Sequence, residues 1–268
     1  REYGDLRVVT RVRGRLGSGR FQTSDLMLAF RLLRHSILQL TGNLGAALTL
    51  SVLPLLLAAL GIGIGMAARQ ALAVGDPPGI IVAVVAVAIV ATFVLAFVSL
   101  AASWHRHVLL GERPQVFRSI GGSEARYFWA AVRMSLVIML IVFMPMILIV
   151  ALTSALNGSI YVTMLASLII GIAVAIIGLR LGTGLAGAAI GAAKPLTTGW
   201  KGTESCLGTL LLLAVFSQIL QTILNLASQI PGLVGLVATL LAAWLGTLLS
   251  LSIITTLWGH FVEGRALR

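Results

Sequence analysis

GIIVAVVAVAIVATFVLAFVSLAA, residues Gly79–Ala102, decides the fold. Its 24 residues hold no charge and no proline, and valine and alanine follow one another without the alternation of a half-buried strand. A helix rises about 1.5 Å per residue, so roughly 20 such residues cross the ~30 Å hydrocarbon core of a bilayer. Backbone groups in lipid must be bonded within the segment, and a run of this kind is expected to be a membrane-spanning helix.

Five more runs of the same character surround it, near Leu44–Met66, Met134–Ser154, Tyr161–Leu179, Leu207–Ala227 and Leu233–Leu257. None holds an acid or a base in its interior, and none alternates in the short segments of a membrane barrel. Three connections are short: Ala67–Pro78, with Pro77-Pro78 as a helix stop; Leu156–Ser159; and Ser228–Gly232, with Pro231-Gly232 as a turn. The expected fold is therefore an all-α integral membrane protein, six transmembrane helices arranged as three hairpins. A polar, arginine-rich segment (1–23), an amphipathic interfacial helix (24–43), the six-helix domain (44–257) and a short tail (258–268) follow in order. Residues 1–23 have no apolar stretch of the kind a secretory signal needs.

Composition agrees. Of 268 residues, 59% are hydrophobic and 10% charged, against about 25% charged in soluble domains. The net charge of +11 has a better explanation than nucleic acid, since no soluble fold is left to present a basic patch. Eighteen of the nineteen Lys and Arg residues fall on one side of the six runs, and only Arg69 on the other. Cations stay on the cytoplasmic side of inserted helices, so both termini are expected there, with anionic headgroups of that leaflet as partners. Trp104, Trp200 and Trp258 at the basic ends of spans, and Trp129 just before one, suit the headgroup level.

Ser24–Leu40 carries Ser24 and Asp25 at its start, as a helix N-terminus favours. Leu26, Phe30, Leu33, Ile37 and Leu40 fall on one face, and Arg31, Arg34 and His35 elsewhere, which predicts a helix lying on the leaflet. The run Leu207–Ala227 carries a polar stripe continuing just past it. Gln218, Thr222, Asn225 and Gln229 share one face, with Gln221 beside them. Amides are costly in lipid, so the stripe is expected to point into the bundle or a wet cavity, for interhelical hydrogen bonds or a polar path, with an interface to another subunit as a further alternative. Gly61/Gly65 and Gly187/Gly191 form small-residue spacings suited to close helix packing. The second pair lies in an apolar stretch after Arg180 that either extends the fourth span or lies along the interface.

Chemistry-bearing residues are sparse. Cys206, the only cysteine, excludes an intramolecular disulfide and reads as a small apolar residue at a helix start. His35, His105, His107 and His260 fall on one side, where a metal cluster is conceivable, but headgroup contact is the plainer expectation. No cofactor is expected.

Trp104-His105-Arg106-His107-Val108-Leu109-Leu110-Gly111-Glu112, then Arg180-Leu181-Gly182, Lys194-Pro195 and Trp200-Lys201-Gly202-Thr203, resemble elements of a broad group of proteobacterial six-helix inner-membrane proteins. The resemblance implies a layout and a bacterial inner-membrane location, and it implies no activity. The run after Arg180 departs from the group by its glycine content. Arg31, Arg34, Trp104, His105, Arg106, Arg180, Trp200 and Lys201 are the expected contacts with lipid or a partner. The expected role is a non-enzymatic accessory, assembly or scaffold subunit associated with a larger bacterial membrane complex, beside other integral membrane subunits, or with lipid. The alternative is a transporter or channel for a small or amphipathic solute, lined by the polar stripe.

Overall fold

The computed structural model describes residues 23–75, 78–117, 121–155 and 160–267. The arginine-rich segment 1–22, Pro77 and the turn 156–159 lie outside the described residues.

Among the described residues, eight α-helices follow one another: α1 (Thr23–Thr41), α2 (Leu44–Val74), α3 (Gly79–Leu110), α4 (Gly122–Ala155), α5 (Ile160–Ile190), α6 (Pro195–Gly202), α7 (Leu207–Asn225) and α8 (Gly232–Phe261). A short 3-10 turn, Leu226–Gln229, ends α7. Six of these, α2 to α5, α7 and α8, are long and apolar enough to cross a membrane. They pair as three hairpins, α2 with α3, α4 with α5 and α7 with α8, and α5 also meets α3, α6, α7 and α8.

Most of these helices outrun the apolar runs that announce them. The helices α3, α4, α5 and α8 have 32, 34, 31 and 30 residues, about 45–51 Å at 1.5 Å per residue, well beyond a ~30 Å hydrocarbon core. The overhang is at the arginine-bearing end. There the buried residues collect, on Ala96–Leu109 of α3, Arg180–Ala189 of α5 and Gly246–Trp258 of α8. The opposite halves stay open: Ile80, Leu140 and Leu233 are 71, 67 and 75% exposed. Apolar helices gain nothing from one another in lipid unless they fit closely, so the spans leave many apolar side chains facing outward while their ends, rich in alanine, glycine, serine and threonine, pack.

Glycine sets the closest approaches. A Cβ on Gly187 of α5 would meet the Trp258 ring at 2.3 Å, and one on Gly61 of α2 would meet Thr92 Oγ1 of α3 at 2.9 Å. One glycine of each spacing thus sits at a close helix contact; a Cβ on Gly65 would meet Ile89 only at an ordinary 3.7 Å. Arg180 does not end a span: α5 runs unbroken through it to Ile190, and Gly191, at φ +83°, closes the helix. The glycine-rich stretch after Arg180 is the part of α5 buried under α6 and α8.

The expected face of α1 is corrected. Ala29, Leu32, Ser36 and Leu40 are its buried residues, packed on α7 and α8. Of the expected stripe only Leu40 is buried; Leu26, Phe30 and Ile37 are exposed. Alanine and serine let the backbone come close, so the small-residue face goes inward and the bulky one is left outside. Asp25 Oδ1 accepts from Thr209 Oγ1 of α7 at 2.8 Å, and Ser36 Oγ lies 3.0 Å from Thr256 Oγ1 of α8.

Candidate functional site at the basic end

The motif Trp104–Glu112 folds back on itself at the end of α3. Gly111, at φ +69°, caps the helix in the left-handed region that favours glycine, and its N–H donates to His107 O at 3.0 Å. The reversal returns Glu112 to its own helix. Arg106 Nε donates to Glu112 Oε2 at 2.9 Å, Nη2 donates to the other carboxylate oxygen, and Nη1 reaches Ala189 O of α5 at 3.3 Å. His107 Nδ1 lies 2.7 Å from Glu112 O. Arginine, histidine, glycine and glutamate at this spacing therefore build a helix end.

The last turn of α8 repeats the device. Trp258 Nε1 donates to Glu263 Oε1 at 2.8 Å, Gly264 reverses the chain at φ +69°, and His260 Nδ1 lies 3.0 Å from Arg265 O. Arg265 pairs with Glu263 at 2.6 Å and donates through Nη2 to Leu109 O at 2.7 Å, joining the two helix ends. Only the α3 end stands out in the sequence, because Glu263 and Arg265 sit in a short tail with no flanking motif.

Trp104 and His105 are corrected as lipid contacts: both are 0% exposed and lie inside the protein. Trp258 is buried with them, while Trp129 is exposed. His105 Nδ1 is 2.7 Å from Thr255 Oγ1, whose single hydrogen goes to Leu251 O at 2.7 Å. Thr255 can then only accept, so Nδ1 carries the imidazole hydrogen and Nε2 holds a lone pair. That Nε2, Tyr127 Oη and Trp104 Nε1 are buried without a partner among the described residues, and the His105 and Tyr127 rings lie 5.7 Å apart. Neither Tyr127 nor Thr255 is signalled by periodicity: Tyr127 lies among Glu124, Arg126 and Arg133 in a stretch that reads as a connection, and Thr255 is one of several hydroxyl residues in α8.

Arg180, also buried, stacks on Trp200 of α6 with its Cζ 3.7 Å from the ring centroid, and its Nη2 donates to Trp200 O at 2.9 Å. The cation is held by a ring face and a carbonyl. Gly184 and Gly199 bring α5 and α6 close enough for this: a Cβ on Gly199 would meet Gly184 N at 2.6 Å. Arg31, Arg34 and Lys201 are exposed. Cys206 begins α7, half-buried. Burial pushes its thiol above the usual range; the Ser205 hydroxyl, 3.6 Å away, opposes the rise and the Asp25 charge adds to it.

The polar stripe of α7 is turned outward, which corrects the expectation that it points inward. Gln218, Thr222, Asn225 and Gln229 are exposed. The inward face carries Leu210 and Leu213, and the stripe lies roughly 120° round from it at about 100° per residue. Gln221 alone bonds across the bundle, donating to Gly246 O at 3.1 Å and to Ser250 Oγ at 3.2 Å on α8. Thr222 satisfies itself on Gln218 O at 2.9 Å. Gln218 and Thr222 edge an apolar groove of about 610 Å³ between α5 and α7, floored by Gly171 and Ala175. A second apolar groove of about 730 Å³ lies between α3 and α4, with Glu124 at its end. Gln218 and Gln221, expected to line one path, thus face different surroundings.

His35, His107 and His260 line one cavity of about 780 Å³ at the basic end, with Arg265 and Gln39. His105 is turned away onto Thr255, and among the described residues no group of three or more His, Cys, Asp or Glu is placed to hold a metal ion. Comparison of the chain with protein-family models, curated proteins and solved structures finds no match.

Proposed function

We propose that the chain is an accessory or assembly subunit that packs laterally against a transmembrane helix of another integral membrane protein. Gln218 carries this reading. It lies eleven residues into α7, about 16 Å from the helix start and so near mid-bilayer. Its amide is exposed at the edge of the α5–α7 groove. An amide facing lipid is costly, whereas a neighbouring helix supplies it with a partner. Gly171 and Ala175 on the other wall are small enough to admit a helix. The transporter reading loses support, because Gln221 is committed to α8.

The same proposal places the basic end, with both termini, at the cytoplasmic face of a bacterial inner membrane. The exposed Arg31, Arg34 and Lys201 then meet anionic headgroups. The test is native mass measurement of the protein extracted gently from its own membranes. A second integral membrane protein is expected in fixed stoichiometry, and Ala175→Leu, which fills the groove, is expected to strip it. Wild-type protein migrating alone, or only as copies of itself, would refute the proposal.

A further inference from the structure

The cavity between the ends of α1, α3 and α8 has a lining with an unusual balance. Among the described residues, its titratable side chains are His35, His107, His260 and Arg265, with no carboxylate. The nearest acids are engaged: Glu263 with Arg265 and Trp258, and Glu112 with Arg106. At about 780 Å³ it lies within the ~300–1,000 Å³ range of small-molecule sites.

Two of the histidines are fixed in one tautomer. His107 Nδ1 faces Glu112 O at 2.7 Å and His260 Nδ1 faces Arg265 O at 3.0 Å. A carbonyl only accepts, so each Nδ1 carries the hydrogen and each Nε2 is the ring nitrogen not committed to the fold. A neutral Nε2 accepts from a hydroxyl. The side-chain oxygen of Gln39, in the same lining, is buried with no donor among the described residues. Buried acceptors of this kind are ordinarily matched by a donor. Three acceptors beside a guanidinium call for a ligand with both hydroxyls and a phosphate.

We propose that this cavity binds a phosphate-bearing polyol, the chemistry of a glycerophosphate unit. Hydroxyls face the two Nε2 atoms and Gln39 Oε1, and the phosphate faces the remaining Nη N–H groups of Arg265, whose Nε pairs with Glu263 and whose Nη2 also donates to Leu109 O. Leu38, Val108 and Leu267, also in the lining, suit a ligand with an attached carbon chain. Such a unit comes from the headgroup of an anionic phospholipid or from a soluble phosphomonoester.

The test uses the full chain in detergent and measures binding by calorimetry. The probes are dihexanoyl-phosphatidylglycerol, glycerol 1-phosphate and, as control, dihexanoyl-phosphatidylcholine. At least one of the first two is expected to bind saturably at one site, and the choline lipid is not. Binding of phosphatidylglycerol alone assigns a lipid source; comparable binding of glycerol 1-phosphate assigns a soluble one. The double variant His107→Gln/His260→Gln is expected to weaken binding about tenfold or more. Should that variant fail to fold, Leu267→Trp, which fills the cavity from the tail, is expected to do the same. Equal retention of the choline lipid, no saturable binding of either phosphate, or unchanged affinity in a folded variant overturns the proposal.

Discussion

Gly199→Ala tests how α6 is held on α5. The added methyl group would sit 2.6 Å from Gly184 N and 3.0 Å from Gly184 Cα. Ordinary contact between heavy atoms is about 3.5–4.0 Å, so the two helices must separate by roughly 1 Å. Both atoms met are backbone, and no side chain can rotate to make room. Overpacking of this kind costs about 1–3 kcal/mol. The separation also lifts Trp200 from Arg180, whose guanidinium lies 3.7 Å from the ring centroid and donates to Trp200 O at 2.9 Å. That buried cation then loses a ring face and a carbonyl together, so the loss is expected toward the upper end of the range. Thermal unfolding in detergent reads the stability. Trp200 fluorescence, taken as the difference from a Trp200→Phe control, reads the stacking. An unchanged melting temperature together with an unchanged Trp200 signal would mean that α6 does not touch α5 in this way.

Thr255→Val is expected to destabilise by about 1–3 kcal/mol, since it leaves the His105 Nδ1–H buried without an acceptor; His105→Phe in the same chain is expected to recover part of the loss, and a double-mutant cycle checks it. Gln221→Leu removes the donor to Gly246 O and Ser250 Oγ on α8 and is expected to lower stability by roughly 0.6–2 kcal/mol in detergent unfolding, a neutral result contradicting the interhelical bond. Cys206 alkylation by iodoacetamide is expected to be slow at pH 8 and to rise as pH increases, because burial first and the Asp25 charge as well hold the thiol protonated above its ordinary range. Asp25→Asn removes one raising influence and is expected to speed the reaction at fixed pH; a slower rate contradicts that electrostatic account.

The six spans are legible because lipid leaves the chain little choice: an uncharged run such as Gly79–Ala102 must bond its own backbone. What the apolar runs hide is how far each helix continues. Ser103–Leu110 and Gly122–Arg133 hold polar and charged residues, so they read as connections, yet they are helix because their small and apolar faces pack on one another. Arg180 shows the same effect, a cation that breaks an apolar run in the sequence but not the helix, because Trp200 receives it. The stripe on α7 shows a different limit. Periodicity places Gln218, Thr222, Asn225 and Gln229 on one face without saying which way that face turns, and the turn is set by Leu210 and Leu213. Likewise α1 offers two plausible faces, and the one with Ala29 and Ser36 goes inward because small side chains permit close approach. The pairing of His105 with Thr255 joins residues 150 apart in the chain, beyond any local pattern.

The most direct test of the whole arrangement is sidedness. In a Cys206→Ser background, Ser228→Cys in the α7–α8 connection and Glu204→Cys between α6 and α7 are exposed to a membrane-impermeant maleimide in intact cells whose outer membrane is opened. Position 228 is expected to label at once, and position 204 only after the inner membrane is permeabilised. Labelling of both from the same side would contradict six spans with their arginines gathered at one face.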